Sequence, residues 1–260
     1  MIVNKTIGFI GGGRIVRIFL DGFKKEEVQF VRVMVSDINP TVCQKQKNMF
    51  PYIEIFSDNN KVAAYSDIIF LAVHPPVLLD VLKNIEKSIN SNFILVSLSP
   101  KITINKISEV LGGFKKIVRM IPNASSIINE GYNPVVFSDS INQDEKDELL
   151  KLFSVLGKCP LVKEDILETY AVLTGMGPTY FWFQWKKLVD MGISFGMDEK
   201  EARNAIFNMV EGSVKTFFDS SLSFEEVMDL IPVRPLSEDE QKINEIYQSR
   251  IEGLYKKIKP

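Results

Sequence analysis

The sequence predicts an α/β protein in which a doubly wound, mostly parallel sheet is followed by an all-helical domain. Strand and helix patterns alternate through the first half, a glycine-rich turn joins the first strand to the first helix, and helical patterns alone continue beyond about residue 163. A chain of 260 residues is long enough for two domains. We place them at residues 1–160 and 161–260, where the composition changes.

Apolar runs bounded by turn residues predict the strands, and apolar positions at helical spacing predict the helices. Strands are expected over 7–10, 30–36, 53–56, 67–73, 93–98, 116–121 and 133–137. Helices between them are expected over 40–49, 76–88, 103–111 and 144–156, and in the second domain over 165–173, 178–195, 198–219, 223–230 and 237–258. The helix over 178–195 carries so much apolar surface that we expect it to be buried, in its own core or against a second subunit.

Composition and charge exclude several classes of function. The net charge is −2 without a basic block, so nucleic acid is not the expected partner. No apolar run approaches the ~20 residues of a membrane span, and we expect a cytoplasmic protein. Cys43 and Cys159 are far apart, and His74 is the single histidine, so no metal site is expected.

The turn after the first strand predicts a dinucleotide site. Gly11 permits a tight turn, and Gly13 lets the backbone approach a pyrophosphate on the amino end of the following helix. Asp37 ends the next strand, near the ~20-residue spacing of a ribose-binding acid. The expected pyrophosphate cradle consists of Gly11, Gly12, Gly13, Arg14 and Ile15. This is a Rossmann-type arrangement, and the alternative is a glycine-rich turn that binds nothing.

Asp37 and its neighbours bear on the choice of cofactor. A carboxylate there accepts hydrogen bonds from the ribose hydroxyls of NAD(H) and repels the 2′-phosphate of NADP(H). Ile38 stands where NADP-binding proteins often carry an arginine, whereas Ser36 and Asn39 offer polar groups to a phosphate. The sequence therefore predicts NAD(H) or NADP(H), with a slight preference for NAD(H).

Several motifs in order resemble the pyrroline-5-carboxylate reductase family. They are IGFIGGG at 7–13, DIIFLAVHP at 67–75, RMIPN at 119–123 with NEG at 129–131, and LTGMGPTY at 173–180. The similarity runs from about residue 5 to about residue 220. It implies a Rossmann domain followed by a helical dimerisation domain, a homodimer or higher homo-oligomer, and reduction of a cyclic imine by NAD(P)H. The implied substrate is 1-pyrroline-5-carboxylate, which is reduced to L-proline.

The family resemblance and the positions of the strand ends together predict the site residues. Beside the nicotinamide we expect Ala72, Val73, His74 and Pro75, with Ser97 and Ser99 on the next strand. Thr174, His74 and Asn123 are the expected catalytic residues, and Thr174, Gly175 and Gly177 are expected to contact substrate, with Pro178 and Tyr180 behind them. Arg119 is expected to be structural.

Four departures from the family pattern affect the substrate side. His74 replaces a lysine, and residues 99–103 (SPKIT) replace A-A-G-(I/V)-T. Lys186 replaces a glutamate of the long dimer helix. The family's Gly-Gly-Thr-Thr, whose amides hold the substrate carboxylate, is absent from 228–237. Arg234 in that segment is either a bidentate clamp for the carboxylate or a solvated surface arginine.

Two other functions stay open. A related two-domain NADP oxidoreductase of the coenzyme F420-dependent type would have the same organisation. A nucleotide-binding regulatory protein that has lost catalysis would keep the glycine-rich turn, and the departures at Lys186 and 228–237 are compatible with it.

Overall fold

The computed structural model describes residues 1–89 and 93–260. It contains two compact units. The first comprises Met1–Met176 with Tyr255–Pro260, and the second comprises Gly177–Leu254.

The first unit is built on a doubly wound sheet, which confirms the predicted fold class. Within the described residues its strands are β1 (Ile2–Ile10), β2 (Gln29–Ser36), β3 (Glu54–Phe56), β4 (Ile68–Leu71), β5 (Ile94–Ser97), β6 (Ile117–Met120) and β8 (Val135–Phe137), and β7 (Gly131–Tyr132) pairs with β9 (Gly157–Lys158). The seven-stranded order is β3-β2-β1-β4-β5-β6-β8. Only β8 runs antiparallel, against β6. The chain reverses its direction of winding after β3, so the carboxyl ends of β1 and β4 meet at the switch point.

Helices cover both faces of this sheet. They are α1 (Arg14–Lys25), α2 (Pro40–Met49), α3 (Asn59–Tyr65), α4 (Pro75–Ile85), α5 (Ile104–Val110), α6 (Gln143–Ser154) and the short α7 (Leu167–Tyr170). All four residues of β4 are buried, as expected for a strand with helices on both sides. Phe70 of this strand stacks on Phe9 of β1 with ring centroids 4.9 Å apart. These contacts fix β1 and β4 side by side and place the turns that follow them.

The start of β1 and the presence of α3 differ from the sequence prediction. Strand β1 begins at Ile2, because Ile2 and Val3 pair with β2 ahead of a register shift. Helix α3 was not predicted, since its seven residues bury only Val62 and Ala63 and give too short an apolar period to recognise.

The compact units divide after Met176, whereas the sequence placed the boundary between 160 and 161. Residues 161–176 pack on the sheet: Leu161 forms a bridge with Val135, and Leu167 and Ala171 join an apolar cluster with Ile121. The change in composition marks the last strand, but the following segment still belongs to the first core.

The predicted helix over 165–173 is divided into three pieces. A 3-10 turn (Glu164–Ile166) precedes α7, and a π-helical turn (Ala171–Gly175) follows it. A Cβ added to Gly175 would lie 3.1 Å from the Ile121 side chain, so this turn approaches the end of β6 closely. Single π-helical turns occur frequently at functional sites.

A buried ion-pair network joins this segment to the sheet. Arg119 of β6 is 0% exposed, and its Nη1 donates to Glu164 Oε1 at 2.9 Å. Its Nη2 donates to Glu168 Oε1. The first of these carboxylates also accepts from the Ile104 amide, and the second from the Lys101 amide. Arg119 therefore organises the turn between β5 and α5 as well as the segment after residue 161.

The second unit consists of helices with a large exposed apolar surface. They are α8 (Thr179–Ser194), α9 (Glu199–Asp219), α10 (Phe224–Asp229) and the greater part of α11 (Glu240–Ile258). In the described chain no residue of α8 is buried, although Phe181, Trp182 and Phe183 lie on it. Of the two expectations for this helix, burial within its own core is therefore wrong for the single chain.

We expect Arg119→Met to lower the free energy of unfolding by about 3–5 kcal/mol, because Glu168 would stay buried without its cation. Urea denaturation followed by circular dichroism measures this. Lys106→Met, which removes an exposed pair with Glu109, serves as the control and should stay close to wild type. Equal effects of the two substitutions would contradict a structural role for the buried pair.

Candidate cofactor and substrate site

The turn after β1 requires glycine at its first position. Gly11 has φ +97°, and its amide donates to the Ser36 carbonyl at 2.8 Å. A Cβ here would lie 2.7 Å from the Ala72 carbonyl oxygen. The left-handed backbone and the close approach of the β4 end both exclude a side chain.

The amino end of α1 is open. Gly13 is its N-cap residue, and no side chain caps the first turn within the described structure. A Cβ added to Gly13 would have no heavy atom within 4 Å. The first amides of a helix have no intrahelical acceptor, so these groups and the helix dipole form an anion site. This geometry fits the diphosphate of a dinucleotide.

Two side chains hold the turn in this shape. The Gly12 amide donates to Asp37 Oδ2 at 2.7 Å, and the Asn39 amide donates to Asp37 Oδ1 at 2.8 Å. Gln46 is buried in α2, and its Nε2 donates to the carbonyls of Gly12 and Gly13 at 2.7 and 3.1 Å. Because Gln46 binds the carbonyls of Gly12 and Gly13, the amides at the start of α1 can face a ligand. Gln46 was not predicted from the sequence, because it belongs to no recognisable local motif.

A cleft of about 490 Å³ lies beside Asp37. Its lining includes Asp37, Asp58 and Asp80, with exposed Ile38 at the rim, and among the described residues it contains no lysine or arginine. Such a cleft suits ribose hydroxyls better than a phosphate.

Ser36, Asn39 and Lys47 near the end of β2 each form hydrogen bonds within the protein. The Ser36 hydroxyl is buried and donates to Asn59 Oδ1 at 2.8 Å, so the suggestion that it faces a phosphate is wrong. The Asn39 side chain accepts from the Thr41 amide as the cap of α2. Lys47, in the neighbouring cleft, donates to the carbonyls of Pro51 and Ile53.

Neither cysteine is a reactive thiolate at neutral pH. Burial and the nearby Asp37 carboxylate raise the pKa of Cys43, and burial raises the pKa of Cys159 to about 12. Within the described residues no cluster of His, Cys, Asp and Glu could hold a metal ion.

The ends of β4 and β5 are tied together next to the glycine turn. The Ala72 amide donates to the Ile10 carbonyl at 2.8 Å, and Ser99 Oγ donates to the Val73 carbonyl at 2.5 Å. Exposed His74 is the N-cap of α4, and Pro75 occupies the first helical position. The structure therefore brings Ala72, Val73 and His74 to the same sheet edge as Gly11.

Ser97, the last residue of β5, is fully buried. In the described structure its hydroxyl has no hydrogen-bond partner. Its register partners are Leu71 on β4 and Arg119 on β6, so it lies at the centre of this edge but beneath the surface. A direct contact with cofactor stays a prediction.

Asn123 joins the end of β6 to the π-helical turn. Its Nδ2 donates to the Thr174 carbonyl at 2.7 Å, and its Oδ1 accepts from the Ser125 amide at 2.9 Å. Its own amide donates to buried Asn133 Oδ1 at 2.8 Å. Asn123 thus positions Thr174, whose hydroxyl donates to the Tyr170 carbonyl at 2.8 Å. Asn133 was not singled out from the sequence.

The remaining predicted substrate residues belong to the second unit. They are Gly177, Pro178, Tyr180 and Arg234. Arg234 is exposed, and the substrate roles of all four stay predictions. Lys186, the charge reversal, forms an exposed pair with Asp190 at 2.6 Å on the same helix, so its charge is balanced locally.

Two family models match separate parts of the chain. Residues 6–101 match the family described as NADP oxidoreductase, coenzyme F420-dependent. Residues 164–233 match the pyrroline-5-carboxylate reductase dimerisation family.

Three similar proteins, each aligned over most of its length, are named as reductases of pyrroline carboxylates. The pyrroline-5-carboxylate reductase of Escherichia coli is 26% identical over 84% of this chain and 81% of its own length. That of Methanosarcina acetivorans is 24% identical over 97% and 93%. The crystal structure of the Plasmodium falciparum enzyme with NADP bound has a TM-score of 0.85 at 23% identity, over 100% of this chain and 98% of that one.

Two glycine substitutions should separate folding from ligand binding. Gly13→Ala should leave the melting temperature unchanged but weaken NADH binding at least about tenfold, because the methyl group occupies the diphosphate approach. Gly11→Ala should lower the melting temperature as well. Fluorescence titration and thermal unfolding measure the two effects.

Gly212→Ala is the matched control, since a Cβ at this position in α9 meets nothing within 4 Å. It should change neither quantity for the worse. Undiminished NADH binding by Gly13→Ala would contradict the assigned cradle.

Proposed function

We propose that the chain is a divergent member of the pyrroline-5-carboxylate reductase family and that it reduces 1-pyrroline-5-carboxylate to L-proline with NAD(P)H. The resemblance found in the sequence motifs is confirmed by the comparisons. The observation that carries the proposal is the uncapped amino end of α1 behind a glycine turn, beside the joined ends of β4 and β5.

The reaction demands little acid–base chemistry from the protein. A nicotinamide coenzyme supplies the hydride when bound, and the protonated imine carbon is already electron-poor. The chain's own task is to hold two planar rings face to face and to exclude water. Residues 11–15 would hold the diphosphate, and residues 72–75 would flank the nicotinamide. We assign cofactor contacts to these residues, to Asp37 and Asn39, and to the edge marked by Ser97 and Asn123.

Thr174 and Asn123 would act on the substrate side. The Thr174 hydroxyl lies on a turn that Asn123 fixes through the Thr174 carbonyl, so the residue that follows β6 helps to set its position. A hydroxyl that accepts a hydrogen bond from the iminium N–H would orient the ring for attack. Exposed His74, on the neighbouring strand end, is available to line the same edge.

The slight preference for NAD(H) also belongs to the proposal. Three carboxylates line the cleft at the end of β2, and Lys47 of the neighbouring cleft donates to the backbone carbonyls of Pro51 and Ile53. A 2′-phosphate would enter this cleft against like charge and without a cation.

An alternative from the same structural class is a coenzyme F420-dependent oxidoreductase, which the match over residues 6–101 favours. Reduction of NADP by a reduced deazaflavin would identify it. If NADH binds but no imine is reduced, the chain is a regulatory protein without catalysis.

We also propose that the second unit forms a homodimer. Its residues match a dimerisation family, and an apolar groove of about 510 Å³ between α8 and α9 is lined by Trp185, Val189, Ile206 and Phe207. No helix among residues 1–89 and 93–260 has the length and apolarity needed to cross a bilayer. The cytoplasmic location stays a prediction.

The primary test is an assay with 1-pyrroline-5-carboxylate and NADH or NADPH in parallel. We expect turnover with both and a higher kcat/KM with NADH. Ile38→Arg should then raise the NADPH to NADH ratio of kcat/KM about tenfold, because it places a cation beside Asp37 without burying it. Val31→Arg, also exposed, is the control. An unchanged ratio in Ile38→Arg would refute the position of the adenosine ribose.

Phe207→Asp should convert the dimer to a monomer, since a carboxylate would replace an apolar contact in the groove. Light scattering after size-exclusion chromatography measures the mass. Tyr65→Asp alters a similarly exposed aromatic residue of the first unit and should leave the dimer intact. A dimeric Phe207→Asp protein would place the interface elsewhere.

A further inference from the structure

Lys101 adopts a backbone conformation that favours glycine. It lies in the turn between β5 and α5 with φ +81°, a region that side chains with a Cβ rarely occupy. It also stands at the glycine position of the A-A-G-(I/V)-T motif. Such a backbone persists only where the surrounding structure fixes it, and residues of this kind cluster at functional sites.

The buried ion-pair network fixes this backbone. The Lys101 amide donates to Glu168 Oε1 at 2.8 Å, and the Ile104 amide donates to Glu164 Oε1 at 2.7 Å. Arg119 binds both carboxylates. One buried guanidinium therefore fixes the turn at two amides, and the unusual backbone of Lys101 is set by long-range contacts.

The turn lies at the edge where the reaction is expected. Ser99, two residues before Lys101, donates to the Val73 carbonyl. Strand β5 lies between β4 and β6 in the sheet, so Lys101 follows the strand between those that lead to His74 and Asn123. Ligands of open α/β sheets bind at this carboxyl edge.

The Lys101 ammonium group is available for a ligand. The residue is exposed. Within the described parts of the chain its ammonium group has no hydrogen bond or ion pair, and the bond to Glu168 involves its backbone amide. The segment 228–237 lacks the glycine amides that would otherwise receive an anion, and Pro232 and Pro235 remove two donors. An ammonium group offers three donors and a full charge.

We propose that Lys101 binds the carboxylate of the imine substrate, and that Glu168 is a positioning residue that holds the Lys101 backbone. This proposal rests on the proposed function and names the group that discriminates a carboxylated imine from a neutral one. It assigns to the turn after β5 the task that the family pattern gives to the glycines missing from 228–237.

The test compares 1-pyrroline-5-carboxylate with neutral 1-pyrroline as substrates of the full-length protein. Lys101→Met should lower the ratio of their kcat/KM values about 10- to 100-fold, the range for one lost charge-assisted hydrogen bond. The loss should appear in KM for the carboxylated imine. Lys101→Arg should restore most of the ratio. Lys101→Gly should lower it like Lys101→Met while relieving the backbone, so a folding defect cannot explain the loss.

Three further variants complete the comparison. Lys106→Met removes an exposed lysine of α5 that pairs with Glu109 and should leave the ratio unchanged. Glu168→Gln should lower the ratio through KM without a matching loss of kcat. Arg234→Met tests the competing assignment, in which Arg234 binds the carboxylate. A ratio that falls with Arg234→Met and not with Lys101→Met would overturn the proposal.

Direct binding separates this proposal from the proposed function. If the wild type reduces neither imine, the reductase assignment fails, and calorimetric titration of the NAD-saturated protein with L-proline then tests Lys101 alone. At least about tenfold weaker binding by Lys101→Met supports the carboxylate site. Equal binding by both proteins, or none by the wild type, would refute it.

Discussion

The open amino end of α1 is the feature on which the account of this protein depends. A helix end without a capping side chain leaves donors that need an acceptor. Neighbouring side chains hold the turn so that these donors stay available. Asp37 accepts from the Gly12 amide, and Gln46 donates to the carbonyls of Gly12 and Gly13. The turn is therefore rigid in the form that an anionic ligand requires.

A second constraint is the ion-pair network of Arg119, at the end of β6. Arg119 is fully buried and would be costly there without its two carboxylates. Through them it fixes the turn after β5 and the segment that leads to Thr174. In the proposed site, β6 consequently organises the substrate side, while β1 and β2 organise the cofactor side. The two meet where Ser99 binds the end of β4.

Local signals explain how much could be predicted from the sequence. The strands, the glycine turn and Asp37 were recognisable because their residue types and spacing reflect neighbouring backbone geometry. Gln46 and Asn133 were missed, since their side chains donate to the carbonyls of Gly12 and Leu156, which lie 34 and 23 residues away in the sequence. The compact units divide after Met176, later than the predicted domain boundary, because helical composition does not reveal which core a helix joins. The π-helical turn depends on the approach of Gly175 to Ile121, which the sequence does not show.

The most direct measurement of the central claim is a titration of ¹⁵N-labelled protein with NADH, followed through backbone amide resonances. The account predicts saturable binding in which the amides of Gly13, Arg14 and Ile15 show the largest shifts, with smaller shifts at residues 72–75. Absence of binding, or binding whose shifts are confined to the second unit, would contradict it.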